Sequence, residues 1–150
     1  MKKLVVYFSA SGITRDYSRK LAKKLEADLY EIEPIEPYTT KDLNWMNPLS
    51  KSSVEMRNKS SRPEIKNKLD SINDYDKIYI GFPVWWYTCP HIVNTFIESF
   101  DFNGKDVHMF FTSGSTKEET IKKAIDKMYP FIKSYKRINS DEDVENYNEN

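Results

Sequence analysis

Three hydroxyl side chains and one glycine fall within six residues at Ser9, Ala10, Ser11, Gly12, Ile13 and Thr14, where the apolar run Leu4 to Phe8 gives way to a helical pattern. A hydroxyl-rich loop at the end of a buried strand can hold a phosphate without lysine. The first turn of a helix has N–H groups with no partner inside the helix, and its dipole favours negative charge. Hydroxyls at Ser9, Ser11 and Thr14 add donors, and Gly12 lets the backbone come close. The run lacks the Lys-Ser/Thr pair of a nucleotide-triphosphate loop and the three glycines of a dinucleotide fingerprint, so a monophosphate fits better than either. Taken alone, the same residues also serve as helix caps, because Ser and Thr are preferred there whatever the protein binds.

A second constellation spans Gly81 to Pro90. Its aromatics Trp85, Trp86 and Tyr87 are consecutive, with Pro83 and Val84 before them and Thr88, Cys89 and Pro90 after. The two prolines predict an extended, stiff loop whose backbone amides and carbonyls are not all used by a sheet. Such a loop offers ring faces and spare polar backbone to a planar heterocycle. Two tryptophans can also simply plug a core, but a phosphate loop one strand away favours the stacking reading. Nearby, His91 reads as a cap-region or solvent residue and Cys89 as a packing residue with no resolving partner. His108 lies in a strand and is assigned no chemistry.

The elements that must position these loops follow from hydrophobic pattern. Residues 4–8 and 77–86 are nearly continuous apolar runs, as expected of parallel strands covered on both faces. Leu29 to Glu33 alternates and is closed by Pro34, the pattern of an edge strand. A fourth strand is expected over Val107 to Thr112 and a weak fifth near Tyr135 to Ile138. Helical spacing links Ile13, Tyr17, Leu21 and Leu25; then Ile92, Val93, Phe96, Ile97 and Phe100; then Ile121, Ala124, Ile125 and Met128. Strands alternate with helices, which predicts an open α/β sheet with right-handed crossovers and helices on both faces. Ligands of such sheets bind beyond the carboxyl ends of the strands, where Gly12 and Gly114 fall. Gly81 lies inside its strand and reads as relief for helix packing.

Residues 34–63 interrupt the pattern with three prolines after Pro34 and scattered apolar residues, including Leu43, Trp45, Met46, Leu49, Val54 and Met56. So long a connection predicts short helical turns or a flap. At the other end, Ser140 to Asp143 has capping-box spacing with Val144 and Tyr147 behind it, predicting a brief closing helix before Asn148 to Asn150 fray.

Composition sets the class. The chain has 150 residues, 39% of them hydrophobic and 14% aromatic, which suits a single domain over 1–150 with one core. Net charge is zero, yet residues 139–150 form an acidic tail with five carboxylates and no Lys or Arg, leaving 23 basic against 18 acidic residues, about +5, in the body. The lysines are spread over every expected helix without exposed aromatics between them, which argues against nucleic acid. One cysteine excludes an internal disulfide and fits a reducing compartment, and no Cys/His cluster has metal-ligand spacing. The first apolar run is too short for a signal peptide core and no stretch is long enough for a membrane span, so a cytoplasmic location is expected.

The loop at residues 9–14, the Pro83-Val84-Trp85-Trp86 run, and Thr112-Ser113-Gly114-Ser115 at the fourth strand together resemble the short-chain flavodoxin-like family. The resemblance extends over nearly the whole chain and includes Glu55 and Arg62-Pro63-Glu64-Ile65. It implies a flavodoxin-like, doubly wound parallel sheet of five strands in the order 2-1-3-4-5. It also implies non-covalent FMN, with the phosphate on residues 9–14 and the isoalloxazine ring against Pro83, Val84, Trp85, Trp86, Tyr87 and Thr88. Thr112, Ser113, Gly114 and Ser115 close the other side of the ring, and residues from Glu55 to Arg62 cover its edge. Family members shuttle one or two electrons between redox partner proteins. A phosphate loop without positive charge fits this, because an uncompensated dianion disfavours the anionic reduced flavin.

Ser115-Thr116-Lys117 replaces the family's Gly-Ser-Gly continuation, and the body is slightly basic where carriers are acidic. Two alternatives therefore stand beside the electron carrier. One is an NAD(P)H-dependent FMN or quinone reductase, with residues 34–63 as a pocket wall; the other is a flavin-free interaction domain. The carrier comes first, because the sequence offers no general acid, no hydride-positioning arginine pair and no second nucleotide site.

Overall fold

The computed structural model describes residues 2–148. Five strands, β1 (Lys3–Tyr7), β2 (Asp28–Glu31), β3 (Lys77–Pro83), β4 (Asp106–Thr112) and β5 (Ile132–Arg137), alternate with helices. The helices are α1 (Ile13–Leu25), α2 (Lys51–Arg57), α3 (His91–Glu98), α4 (Glu118–Ile125) and α5 (Asp141–Glu145). All neighbouring strands are parallel, in the order β2-β1-β3-β4-β5, which is the expected topology. β2 is the half-exposed edge, while β1, β3 and β4 are buried along almost their whole length.

Alternation along the central strands divides the core. Leu4, Val6, Phe8, Ile78, Ile80, Phe82, Val107, Met109 and Phe111 face α3 and α4, whereas Val5, Tyr79 and Phe110 face α1 and α5. Both sheet faces are thus covered, as continuous apolar strands require. Gly81 serves the sheet rather than a helix: a Cβ there would meet the Phe110 ring at 2.2 Å. Register brings the two together, since Gly81 and Phe110 are paired positions on β3 and β4 and their side-chain positions share a face.

Several boundaries differ from the pattern. β3 stops at Pro83, three residues earlier than the apolar run, because the chain turns sharply beyond it. β5 begins earlier than expected, at Ile132, across a register irregularity at Val107/His108. Phe100 lies past α3 and packs on Phe96 with ring centroids 5.1 Å apart. Met128 lies past α4 and is exposed. Ser140 caps α5 by accepting the Asp143 amide at 3.1 Å. Glu149 and Asn150, part of the expected fraying tail, lie outside the described residues.

Residues 34–63 leave and rejoin the body through an antiparallel bridge between Pro34 and Ile65, with the Lys66 amide donating to the Glu33 carbonyl at 2.7 Å. Turns lead to α2, whose N-cap Ser50 accepts the Ser53 amide. Tyr38 pins the segment down, its ring edge-on to Phe8 at 5.8 Å and to Trp85 at 5.2 Å. Among the described residues, no helix is long and apolar enough to cross a membrane.

Candidate functional site

The loops after β1, β3 and β4 converge at the carboxyl edge of the sheet. In the first, Gly12 is the N-cap of α1 with φ of 99°, a left-handed conformation that glycine adopts without strain. Ser9, not the N-cap residue, satisfies two loop amides: its Oγ accepts from Gly12 N–H at 3.1 Å and Arg15 N–H at 3.2 Å. The amides of Ser11, Ile13 and Thr14 keep no acceptor, so three donors face the helix-dipole end together. Ala10 packs against the core, Ser11 is exposed, and Ile13 is 57% exposed rather than on the buried stripe.

Thr14 departs from its expected role as a hydroxyl donor into the loop. Its side chain is buried and its Oγ1 lies 2.8 Å from Thr112 Oγ1, because the first turn of α1 points this position at the sheet. The pair ties the first loop to the end of β4. One hydroxyl proton makes that bond and the other is left for a further acceptor.

The loop after β3 is a tight turn, not an extended one. Val84 N–H donates to the Thr112 carbonyl at 3.2 Å, and Trp85 and Thr88 exchange two backbone bonds of 3.0 Å. Between them Trp86 (φ 50°) and Tyr87 (φ 63°) are both left-handed. Two bulky residues in that region cost about 1 kcal/mol each, strain typical of a loop built to present side chains. Neither proline sits in the two-residue turn, so their rigidity does not extend it. Trp85 takes the packing role, edge-on to Phe8 at 5.7 Å, while Trp86 and Tyr87 are 44% and 70% exposed.

After β4, Ser113 Oγ accepts the amides of Ser115 and Thr116 at 3.4 and 3.0 Å, curling the loop back on itself. Gly114 and Ser115 are exposed, and a Cβ on Gly114 would meet nothing within 4 Å.

Between these loops and residues 34–63 lies a cavity of about 760 Å³, within the range of small-molecule sites. Val84, Trp85, Trp86 and Tyr87 form one wall and Ser113 with Thr116 another. The remaining wall comes from residues 34–63, expected as a pocket wall only under the reductase alternative and with no site residue named there: Leu43, Trp45, Ser52 and Met56, contributed by α2 and the turns before it. Their signal was the handful of large apolar side chains in an otherwise polar segment; Trp45 remains 71% exposed here. Residues 9–14 stand beside the cavity at the neighbouring strand end rather than in its wall, and Pro83, Thr88, Thr112, Gly114 and Ser115 do not line it either.

Glu55 and Arg62 do not cover the cavity. Glu55 Oε1 accepts the Tyr38 hydroxyl at 2.5 Å, with Lys51 Nζ 4.7 Å from the Tyr38 ring centre, and burial pushes the carboxyl above its ordinary range. Arg62 forks onto Glu98 at 2.9 and 3.0 Å. Both serve to anchor the segment. His91 begins α3 but is buried, not solvated; Ser61 Oγ is 2.6 Å from its Nδ1, and burial together with Arg62 holds it below its usual range. Cys89 is buried with its thiol pushed up to about 12 by desolvation, which leaves it a packing residue at neutral pH.

Free loop amides thus lie beside an aromatic cavity on a sheet of this strand order, and residues 2–150 of the chain match the family model described as flavodoxin. The chain belongs to the flavodoxin family. Among solved structures, a candidate flavoprotein from Bacteroides uniformis is 46% identical with a TM-score of 0.90, covering 95% of this chain and 94% of that one. One from Bacteroides eggerthii is 41% identical with a TM-score of 0.90, covering 96% and 93%. A flavoprotein from Lactobacillus acidophilus in complex with FMN shares the fold at 23% identity, with a TM-score of 0.73 and 96% of each chain covered. A comparison with curated proteins finds no match.

Proposed function

We propose that this flavodoxin-family protein binds FMN non-covalently and transfers electrons between redox partner proteins. The observation that carries the reading is the juxtaposition of three unpartnered amides at the N-terminus of α1 with the aromatic cavity at the neighbouring strand end. Membership of the flavodoxin family supports it, and a protein of the same fold is known in complex with FMN.

The residues present fit the group. The amides of Ser11, Ile13 and Thr14 suit a phosphate, and Trp45, Trp86 and Tyr87 offer exposed rings to the isoalloxazine. Ser52, Ser113 and Thr116 bring hydroxyls to the otherwise apolar wall for a polar ring edge. Bound FMN supplies one- and two-electron chemistry. This chain's own residues would hold the group by presenting the Trp86–Tyr87 turn and the α2 wall to the ring and the loop amides to the phosphate. Stepwise photoreduction of the FMN-loaded protein, followed by absorption, should show a distinct one-electron stage. Reduction directly by two electrons would count against a carrier.

One observation favours an enzyme of the same fold. Residues 34–63 supply Leu43, Trp45 and Met56 as an apolar wall of the cavity of about 760 Å³, a surface that suits a planar substrate. Steady-state NADPH oxidation with a quinone acceptor tests this, and absence of turnover with either pyridine nucleotide eliminates it. A cytoplasmic setting is proposed on the strength of Cys89, a single buried cysteine that fits a reducing compartment.

A further inference from the structure

Arg15 follows the hydroxyl loop directly, and nothing so far uses its charge. Its guanidinium forks onto Glu31 at the end of β2, with Nη2 2.7 Å from Oε2 and Nε 3.3 Å from Oε1. Glu31 is held from the other side by the buried Tyr7, whose hydroxyl donates to Oε1 at 2.8 Å. Burial alone would raise the Glu31 carboxyl, yet these two donors and the positive field of Arg15 and Arg19 hold it below its ordinary range. The acid is therefore a fixed charge across neutral pH.

The third guanidinium nitrogen is different. Nη1 has no hydrogen-bond partner and lies 4.0 Å from the point a Cβ would occupy on Gly12. One edge of Arg15 is thus spent on Glu31 while the other runs along the loop whose amides are free. The nearby charges are Arg15 and Arg19 against Glu31 and Asp16, the acid in the first turn of α1.

We propose that Arg15 is the phosphate-discriminating residue of this site, donating through Nη1 to a flavin monophosphate while Glu31 keeps its other edge. This rests on the FMN reading and adds to it the side chain that reads the phosphate. Glu31 acts as a positioning residue. It aims the guanidinium and offsets its charge, so the bound phosphate is recognised by a directed donor without a net positive loop.

The test compares FMN and riboflavin affinity by fluorescence quenching in wild type, Arg15→Gln, Arg15→Lys and Glu31→Gln. A charge-assisted bond to phosphate predicts that Arg15→Gln weakens FMN about tenfold and leaves riboflavin within about twofold. Arg15→Lys should restore part of the FMN preference, and Glu31→Gln should strengthen FMN several-fold, with riboflavin unchanged. Equal loss for both flavins, or unchanged FMN affinity in Arg15→Gln, overturns the assignment. Wild type binding neither flavin would instead remove the FMN reading beneath it. Arg15 is partly exposed, so its variants decide the question even if Glu31→Gln does not fold.

Discussion

At the scale of single residues, the site depends on which polar atoms are already spent. Ser9 Oγ takes two loop amides, and Thr14 pairs with Thr112, so the phosphate donors are backbone groups rather than the hydroxyls that make the loop conspicuous. Thr14→Val should leave the fold standing but strand the buried Thr112 hydroxyl. A loss of about 1–2 kcal/mol in denaturant unfolding is expected, with FMN affinity in titration changing little because the Thr14 amide is kept; a loss of affinity of about tenfold or more would show that the hydroxyl itself serves the phosphate. Glu55 gives a pH prediction. Its folded pKa is raised, chiefly by burial, so its contribution to stability is greatest at low pH, where it is neutral, and is lost as pH rises through the folded value. Glu55→Gln keeps an acceptor for Tyr38 without the charge. It should raise Tm at pH 7, with the gain disappearing below about pH 4. A gain that persists in acid would exclude burial of charge as its cause.

At the scale of elements, the Trp86–Tyr87 turn and the Gly81–Phe110 contact show how the sheet edge is built. The turn holds two bulky residues at positive φ, a conformation that glycine takes freely. Tyr87→Gly should therefore gain about 1 kcal/mol of stability in the flavin-free protein while weakening FMN binding. Opposite signs in thermal melts and flavin titrations would mark strain held for binding; loss of both would show that Tyr87 packs structurally. One strand inward, Gly81→Ala forces the Phe110 ring aside and should cost about 1–3 kcal/mol in denaturant unfolding. A neutral effect would mean the ring shifts freely, contrary to its complete burial.

At the scale of the whole molecule, ligand binding is read through stability. A flavin that binds only the folded chain adds about 2.7 kcal/mol at a hundredfold excess over Kd, several degrees in Tm. Differential scanning fluorimetry with and without FMN should show that shift, and its absence would favour a flavin-free interaction domain. Strand order was implied by the family resemblance, whereas the alternation of strands and helices, the two-sided core and the place of the three loops were legible in the sequence, because continuous apolar strands and 3.6-residue helix spacing are local signals. So was the candidacy of residues 9–14, 83–88 and 112–115. What the sequence could not decide depends on distant partners. Ile13 carries an apolar side chain yet faces solvent, and Thr14 spends its hydroxyl on a residue 98 positions away. Gly81 answers to a ring on the neighbouring strand, and Trp85 and Trp86 divide between core and cavity. Leu43, Trp45, Ser52 and Met56 become a wall only when Tyr38 and Arg62 fasten residues 34–63 over the sheet edge. Pattern along the chain determines which elements form and where a ligand edge lies. Which atoms at that edge remain free is settled only after every through-space partner has been matched.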